Sequence, residues 1–298
     1  MTERIGFIGI GTMGTPMSKR LLAAGYQLVV YDTKPEAMAP LLAMGAESAS
    51  SPAELAERCG KAITMLPNST IVEQVVLGPS GLAAGFAPGS ILMDMSSSVP
   101  TSTRKIAASL AERSVAMIDA PVSGGPVGAT EGTLAIMVGG SEESYQSCLP
   151  ILQTMGKNIF HIGPVGSGHT LKTINNMLFA INMMGVCEGL VLGVKAGLDP
   201  KKMIEVISTG SGESYALRTK AVRHILAGNY QPGFTTDLLY KDVDIATTLG
   251  RQLGVPLLTG SLAQQILAVA RGRGMNGLDN SSIVKLLEEA AGVTVMPE

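Results

Sequence analysis

The sequence of 298 residues predicts two domains of different class. Residues 1–164 are expected to form an α/β domain with a doubly wound, mostly parallel sheet, and residues 165–298 an all-α domain that starts with a long linking helix. Two observations predict this division. Short apolar runs alternate with helical patterns in the first half, which is typical of parallel sheets covered by helices. After Gly166-Ser167-Gly168 the strand-like runs stop and only helical periodicity continues.

The strands of the first domain are predicted from short apolar runs that have turn residues at both ends. They cover residues 5–10, 28–31, 62–66, 91–95, 116–118, 135–138 and 159–162. Helices are expected between them, with residues 13–24 as the first. Ser51-Pro52-Ala53-Glu54 combines an N-cap serine, a proline at the first helical position and a glutamate at the third, which is a helix start signal. Thr33-Lys34-Pro35-Glu36 and Pro100 indicate two further starts.

The second domain is predicted to contain six helices. The linking helix, residues 170–196, ends at Gly197 with Pro200 just beyond, which is typical of a helix C-terminus. The other five are predicted at residues 200–208, 215–227, 239–253, 259–271 and 281–291.

Composition narrows the classes of function. A hydrophobic share of 46% and a charged share of 15% are typical of a globular protein, and a net charge of −2 argues against nucleic-acid binding. Residues 177–197 are apolar but include one asparagine and two charged residues, so we expect a core helix and no membrane span. The first residues lead directly into a strand, so we expect no signal peptide. The three cysteines and three histidines lack disulfide or metal-site spacing, so we expect no metal and a cytoplasmic location.

A glycine-rich turn follows the first predicted strand directly. Gly9, Gly11 and Gly14 form Gly-x-Gly-x-x-Gly at the start of a helix, an arrangement that permits a tight turn, the approach of a pyrophosphate and close helix–strand packing. Asp32 ends the second strand, 18 residues after Gly14, where a carboxylate can accept both hydroxyls of an adenosine ribose. The predicted dinucleotide contacts are Gly9, Ile10, Gly11, Thr12, Met13, Gly14 and Asp32.

Asp32 also bears on which dinucleotide binds. Its carboxylate favours a free 2′-hydroxyl and repels a 2′-phosphate, so we expect NAD as the cofactor. Lys34, two residues on, softens that repulsion, and NADP therefore stays possible.

Three more segments follow predicted strands, at the sheet edge where ligands of doubly wound sheets bind. They are Met65-Leu66-Pro67-Asn68-Ser69, Asp94-Met95-Ser96-Ser97-Ser98 and Asp119-Ala120-Pro121-Val122-Ser123-Gly124-Gly125-Pro126. In the third, a hydroxyl and the backbone N–H groups of two glycines can cradle a carboxylate. On the residues alone, ordinary turns or a serine N-cap explain these segments equally well.

Lys172, Asn175 and Asn176 lie at positions i, i+3 and i+4 of the linking helix and share one face. Polar groups among apolar neighbours are costly unless they meet polar partners. The functional interpretation is a lysine that transfers protons beside amides that orient a substrate, since burial and nearby charge readily shift the pKa of lysine. A solvated helix face is the alternative.

Taken in order, these motifs resemble the 3-hydroxyisobutyrate dehydrogenase family, also called β-hydroxyacid dehydrogenases, which includes tartronate semialdehyde (2-hydroxy-3-oxopropionate) reductases. The similarity rests on residues 6–14, 63–67, 119–125, 172–177, 197–200 and 241–242 and runs essentially from end to end. It implies a Rossmann domain, a linking helix and a helical C-terminal domain. It also implies an enzyme with a nicotinamide cofactor that acts on a short 3-hydroxy acid or its semialdehyde.

The resemblance also assigns roles to individual residues. Lys172 matches the catalytic lysine and Asn175 the amide that orients the substrate. The remaining matches are Ser123, Gly124 and Gly125 for the substrate carboxylate, Leu66, Pro67 and Ser97 for the cofactor, and Lys241 as a second lysine on the cofactor side. The family often carries threonine where Ser97 stands, and serine keeps the hydroxyl.

Several alternatives stay open. Lys172 argues against imine reductases, which generally lack this lysine, and the second half is too short for a 6-phosphogluconate dehydrogenase. A dinucleotide-binding module without catalysis is the competing class. Within the enzymes, the candidate substrates are hydroxyisobutyrate, tartronate semialdehyde, succinic semialdehyde and sulfolactaldehyde. Because residues 178–194 are more apolar than a lone domain can bury, we expect a homodimer or homotetramer.

Overall fold

The computed structural model describes residues 3–296, and the chain divides into two compact units, Met1–Lys172 and Thr173–Glu298. Within the described residues, the strands all lie in the first unit, and the second unit is helical. The division falls inside one continuous helix, Ser167–Lys195, so the first two turns of that helix belong to the α/β unit.

The sheet of the first unit has its strands in the order β3-β2-β1-β4-β5-β6-β8-β7, with β9 beside β8. The strands are β1 (Arg4–Ile8), β2 (Gln27–Tyr31), β3 (Glu47–Ser48), β4 (Lys61–Thr64), β5 (Ile91–Asp94), β6 (Ala116–Asp119), β7 (Val122–Ser123), β8 (Leu134–Gly139) and β9 (Gly156–Gly163). The first six are parallel, β8 is antiparallel to β6 and β7, and β9 is parallel to β8. The chain order reverses between β1 and β4, which makes the sheet doubly wound.

All seven strands predicted from the sequence are present in the sheet, and the predicted fold class is confirmed. The sequence pattern did not indicate β3 and β7, because each has only two residues and two residues cannot show an alternation.

Both faces of the sheet are buried. Phe7, Val30 and Ile63 belong to the apolar cluster on one face, while the neighbouring Ile8 and Val29 belong to the cluster on the other. Parallel strands buried on both faces are expected to be apolar runs rather than alternating patterns, which is what the sequence shows.

The first unit has eight helices within the described residues, and those that begin at Pro35, Pro52 and Pro100 start where the sequence signals indicate. The eight helices are α1 (Gly14–Ala23), α2 (Pro35–Leu42), α3 (Pro52–Glu57), α4 (Ser69–Leu77), α5 (Leu82–Gly85), α6 (Pro100–Ala111), α7 (Gly125–Glu131) and α8 (Glu142–Met155). The hydroxyl of Ser51 accepts a hydrogen bond from the Glu54 N–H at 3.1 Å, so the predicted cap of α3 is confirmed.

The second unit packs its helices around one apolar cluster. They are α9 (Ser167–Lys195, from its third turn), α10 (Pro200–Ile207), a π-helix (Ala216–Ile225), α11 (Thr236–Leu253), α12 (Leu258–Gly272), a 3₁₀ turn (Asn280–Ile283) and α13 (Val284–Ala291). The sequence indicated an ordinary helix at residues 215–227. A pattern only ten residues long does not distinguish a period of 3.6 from the wider π-helix, so this difference lay beyond sequence analysis.

Helix α9 is long and apolar enough to cross a membrane by length and composition, and 44% of its most apolar window is buried inside the protein. Core helices of folded proteins satisfy the same criterion, and the burial of Met183, Cys187 and Leu190 shows that one side of α9 packs in the core of the second unit.

A buried ion pair anchors the π-helix. The Lys220 Nζ donates to Asp279 Oδ2 at 2.5 Å, and Asp279 also accepts from the N–H groups of Phe234 and Ser281. Burial tends to raise the pKa of Asp279, but the hydrogen bond and charge of Lys220 outweigh it and hold the pKa below its ordinary value. The lysine side chain is 10% exposed and the aspartate is fully buried, so both groups are largely removed from water.

We expect Lys220→Met to lower the free energy of unfolding by about 3–5 kcal/mol at pH 7, because it leaves a buried carboxylate without its cation. Lys202→Met is the control: it removes an exposed pair with Glu205 and should cost less than about 1 kcal/mol. Chemical denaturation measures both.

The pH dependence follows from the lowered pKa of Asp279. The contribution of this carboxylate is complete above about pH 4 and is lost as the pH falls through the lowered value. The cost of Lys220→Met should therefore shrink in acid. Equal costs for the two lysine variants at pH 7 would contradict the anchoring role.

Candidate active site

The glycine-rich turn between β1 and α1 contains glycines of two kinds. A Cβ on Gly9, whose φ is +96°, would lie 2.3 Å from the Met65 carbonyl oxygen, and one on Gly14 would lie 1.9 Å from the Gly9 carbonyl oxygen. The packing of the protein itself therefore requires glycine at both positions. A Cβ on Gly11 would meet nothing within 4 Å, and both Gly11 and Thr12 are exposed. The open space over Gly11 is what the close approach of a pyrophosphate needs.

Asp32 holds this turn in place. Its Oδ2 accepts a hydrogen bond from the Ile10 N–H at 2.8 Å, and its Oδ1 accepts from the Lys34 N–H at 2.9 Å. Each oxygen of a carboxylate can accept a second bond, so the half-buried Asp32 is still able to accept the hydroxyls of a ribose. The turn and Asp32 together fit a dinucleotide.

The segments after β4 and β5 are tied to each other. The Leu66 N–H donates to Ser96 Oγ at 2.9 Å, and the Ser98 hydroxyl donates to Asp94 Oδ2 at 2.9 Å. Ser96 and Ser98 are buried, whereas Ser97 between them is half-buried. The alternative of a serine N-cap before α6 is wrong, because the N-cap is Val99 and it makes no side-chain cap.

The segment Ser123-Gly124-Gly125 forms the junction of β7 and α7. Gly124 has a φ of +132° and Gly125 a φ of +63°, conformations that side chains rarely adopt. A Cβ on Gly125 would meet nothing within 4 Å, so the space beside it is open, and the Ser123 side chain is half-buried. These features leave a hydroxyl and backbone groups beside an open space, as a carboxylate site requires.

Asp119 fixes the start of helix α9. Its Oδ1 accepts from the Gly166 N–H at 2.6 Å and its Oδ2 from the His169 N–H at 2.7 Å. Burial raises the pKa of Asp119 above its ordinary value, against the opposing effects of His169 and these backbone donors. Lys172 lies one helical turn after His169 and is half-buried.

The two asparagines of α9 belong to a hydrogen-bonded chain. The Asn175 Nδ2 donates to Asn176 Oδ1 at 3.0 Å, and the Asn176 Nδ2 donates to Asp242 Oδ2 at 2.6 Å. Asp242 also forms an ion pair with Lys241 at 3.2 Å. Asn176 is 5% exposed, whereas Asn175 is half-buried.

From the sequence, Lys241 was given a role and the adjacent Asp242 was not, although both belong to the motif at residues 241–242. The position of this carboxylate directly after a motif lysine could have indicated a role for Asp242. An ionised carboxylate only accepts hydrogen bonds, so Asp242 obliges Asn176 to present its NH₂ group.

The structure assigns the predicted residues to the two units as follows. The first unit contains Gly9, Ile10, Gly11, Thr12, Met13, Gly14, Asp32, Leu66, Pro67, Ser97, Ser123, Gly124, Gly125 and Lys172, and the second contains Asn175, Asn176 and Lys241. The residues of the first unit, apart from Lys172, lie at the carboxyl ends of strands or beyond them. Strands β2, β1, β4 and β5 are neighbours in the sheet, whereas β7, which ends at Ser123, is separated from β5 by β6 and β8. Within residues 3–296, no group of three or more His, Cys, Asp or Glu side chains is placed to hold a metal ion.

An open dinucleotide turn, an acidic residue after β2 and a helix-borne lysine define a nicotinamide-dependent oxidoreductase, and comparison with known proteins agrees. The model for the NAD-binding domain of 6-phosphogluconate dehydrogenase matches residues 4–163. The model for the NAD-binding domain of NADP-dependent 3-hydroxyisobutyrate dehydrogenase matches residues 166–287. The chain belongs to the β-hydroxyacid dehydrogenase family, whose members use NAD or NADP to oxidise small hydroxy acids.

The relatives match along almost the whole chain. The 2-(hydroxymethyl)glutarate dehydrogenase of Eubacterium barkeri is 41% identical over 98% of this chain and 97% of its own length. The NAD-dependent L-serine dehydrogenase of Pseudomonas aeruginosa is 39% identical over 97% and 99%. A solved structure of 3-hydroxyisobutyrate dehydrogenase from Mycobacterium tuberculosis with L-serine is 31% identical, with a TM-score of 0.90 over 96% of this chain and 99% of that one.

Gly11→Ala separates the binding role of the turn from its folding role. Because a Cβ there has no neighbour within 4 Å, the melting temperature should stay within about 2 °C of wild type, while the dissociation constant for NADH rises at least about tenfold. Isothermal titration and thermal denaturation measure the two effects.

Two control variants accompany it. Gly60→Ala also places a Cβ in open space, outside the turn, and should change neither quantity. Gly14→Ala should lower the melting temperature, because its Cβ meets the Gly9 carbonyl oxygen. NADH binding unaffected by Gly11→Ala would show that no ligand approaches this glycine.

Proposed function

We propose that this protein is an NAD-dependent dehydrogenase that interconverts a 2-substituted 3-hydroxypropanoate and the corresponding 3-oxopropanoate. The support for this substrate class is the chemical structure that the substrates of the relatives share. The substrates named in the three kinds of relative, 2-(hydroxymethyl)glutarate, 3-hydroxyisobutyrate and L-serine, share a primary alcohol on the carbon next to the one that carries the carboxylate. They differ only in the substituent on C2, so this common core is the part that a shared site can recognise.

The observation that carries the proposal is the position of Lys172. Asp119 fixes the first turn of α9, and Lys172 follows on the next turn, half-buried and on the same unit as the glycine-rich turn. A lysine so held can take a proton from an alcohol as a neutral amine and return it as an ammonium.

The proposed mechanism divides two tasks. When bound, a nicotinamide would supply the hydride chemistry, with the hydride leaving the alcohol carbon in oxidation and reaching the carbonyl carbon in reduction. Lys172 Nζ takes the hydroxyl proton as the C–O double bond forms, so the alcohol loses a hydride and a proton and no charge builds up on oxygen. Such acid–base help contributes about 10²–10⁴-fold to the rate.

The other predicted residues position the substrate in this proposal. The Ser123 hydroxyl and the N–H groups of Gly124 and Gly125 would bind the carboxylate, beside the open space at Gly125. Asn175 would hold the substrate oxygen from the helix face that presents Lys172. Asn176, buried and bound to Asp242, would orient Asn175 rather than contact the substrate.

Leu66, Pro67, Ser97 and Lys241 would contact the cofactor in this proposal. The orientation of Lys241 is restrained by its ion pair with Asp242. The carboxylate of Asp32 supports NAD as the preferred cofactor, since it can accept both ribose hydroxyls and repels a 2′-phosphate.

A substrate panel, assayed in both directions with NAD(H) and NADP(H), tests the substrate class. We expect the highest kcat/KM among 3-hydroxyisobutyrate, 2-(hydroxymethyl)glutarate, L-serine and tartronate semialdehyde, all of which have the three-carbon core. Succinic semialdehyde has one more carbon between carbonyl and carboxylate, which should cost at least about tenfold. Sulfolactaldehyde, with a sulfonate, should also be poorer.

Two results of the panel would contradict the proposal. A higher kcat/KM with NADP(H) than with NAD(H) would overturn the cofactor preference. Dinucleotide binding without turnover of any of these compounds would favour a binding module that lacks catalysis.

Lys172→Ala tests the proton-transfer role. We expect kcat to fall at least about 10²-fold while the NADH dissociation constant changes little, because the predicted phosphate contacts are in the glycine-rich turn. Lys172→Arg should restore little activity, since a guanidinium does not release a proton near neutral pH. Wild-type turnover in the alanine variant would exclude Lys172, and Lys241 would then be the next candidate.

The same proposal includes an assembly of two or more copies. Leu178 and Leu192 of α9 are 52% and 72% exposed, and a Cβ on Gly185 or Gly189 between them would meet nothing within 4 Å. These four residues lie on one face of the helix at the spacing of helix-packing positions, where small residues permit close approach. We expect light scattering at micromolar concentration to show a homodimer or a homotetramer, and a monomer would contradict this.

A cytoplasmic location is part of the proposal as well. The three cysteines are free and buried, and burial raises the pKa of the Cys59 thiol to about 11, so this thiol stays protonated and unreactive. A protein with no disulfide suits a reducing compartment.

A further inference from the structure

A buried histidine outside the predicted site connects the segments that carry it. The imidazole of His169 is fully buried, with Nε2 2.9 Å from the Ser96 carbonyl oxygen and Nδ1 2.8 Å from Thr103 Oγ1. Its own backbone N–H is bound by Asp119. A fully buried imidazole with two fixed partners is more than a space-filling side chain, because each lost bond would leave a polar group without water.

The chemistry of the partners fixes the hydrogen on one of the two ring nitrogens. A carbonyl oxygen only accepts, so Nε2 must carry a hydrogen and donate it to Ser96. Nδ1 faces a hydroxyl, which can either donate to it or accept from it. Thr103 Oγ1 also lies 3.2 Å from the Val99 carbonyl oxygen, so its hydrogen has a second acceptor within reach. Two carboxylates face the ring, Asp119 at 3.6 Å and Asp94 at 3.8 Å.

Ser96 is the residue on which these bonds converge. Its carbonyl oxygen accepts from His169, its hydroxyl accepts from the Leu66 N–H at 2.9 Å, and its own N–H donates to Asp94 at 3.1 Å. It therefore joins the segment after β4, the segment after β5 and the first turn of α9. The first two segments hold the predicted cofactor contacts Leu66 and Ser97.

Lys172 lies three residues after His169, on the next turn of the same helix. Helix geometry allows little freedom over three residues, so a shift of the imidazole relative to Ser96 would shift the lysine relative to the cofactor segments. Asp119 fixes the axial position of this turn, and His169 fixes its distance to Ser96.

We propose that His169, held by Asp119, is a positioning residue that sets the separation between the proton-transferring Lys172 and the cofactor segments around Leu66 and Ser97. The proposal rests on the proposed role of Lys172. His169 itself contacts neither substrate nor cofactor in this account and acts through the Ser96 carbonyl group. Its effect is therefore on the geometry of hydride and proton transfer, where a displacement of about 1 Å can cost about 10²-fold in rate.

His169→Leu and His169→Gln test the proposal together. Leucine removes both ring hydrogen bonds, and we expect kcat to fall at least about tenfold, with a larger primary deuterium isotope effect from NADH labelled at C4 because hydride transfer has become slower. Glutamine can donate from its NH₂ group to the Ser96 carbonyl oxygen and accept from Thr103, so it should keep kcat within about threefold of wild type.

A second histidine of the same unit provides the matched control. His161 Nε2 makes a bond of 2.8 Å to the Gly140 carbonyl oxygen and Nδ1 lies 2.9 Å from Glu142 Oε2, so its ring bonds go to other partners than Ser96 and Thr103. His161→Leu should lower the melting temperature without changing kcat by more than about twofold or altering the isotope effect. If His169→Leu fails to fold, Thr103→Val removes one of the two ring bonds and should give an intermediate loss of kcat with the same rise in isotope effect.

The outcomes separate this proposal from the proposed function. Loss of activity in Lys172→Ala together with wild-type kcat and isotope effect in a folded His169→Leu would overturn the positioning role alone. Equal losses in His169→Leu and His161→Leu, or a glutamine variant as impaired as the leucine variant, would overturn it as well. Full activity in Lys172→Ala would instead overturn the proposed function on which the positioning role rests.

Discussion

The Asp119 carboxylate is the point on which the arrangement of this site depends. It ends β6 and accepts the N–H groups of Gly166 and His169, so it joins the central sheet to the start of α9. The junction has no room for a side chain at two of its positions. A Cβ on Gly139 would lie 2.4 Å from Asp119 Oδ1, and one on Gly168 would lie 2.2 Å from the Met137 carbonyl oxygen. Two glycines are therefore the requirement for bringing a helix start onto a buried carboxylate.

Everything proposed for the chemistry follows from that junction. The lysine is presented one helical turn beyond it. The neighbour of β6 is β5, whose carboxyl end carries Ser96 and Ser97, and β4 and then β1, which carry Leu66 and the dinucleotide turn, follow in the sheet. The amides continue along the same helix, where Asp242 holds Asn176 and Asn176 holds Asn175. Two buried carboxylates thus fix the orientation of these polar side chains. Such preorganised orientation of catalytic groups is the larger part of what an active site contributes to the reaction rate.

Much of the fold and part of the site could be predicted from the sequence. The longer strands, the change to helices after Gly168 and the dinucleotide turn depend on local patterns and were evident, whereas the two-residue strands β3 and β7 were not. The carboxylates of Asp119 and Asp242 and the imidazole of His169 were not given roles, because each acts on a partner 47 to 73 residues away and no local pattern records such a contact. The π-helix was not predicted for a different reason, because its sequence also fits an ordinary α-helix.

Chemical rescue of Lys172→Ala tests the central claim, proton transfer by the Lys172 amine, most directly. Small alkylamines would be added to the variant with a saturating substrate of the three-carbon core and NAD. The account predicts that turnover rises with amine concentration, that more basic amines of similar size rescue better, and that quaternary ammonium ions do not rescue. Activity that stays at the level of the variant with every amine, or that rises equally with a quaternary ion, would contradict it.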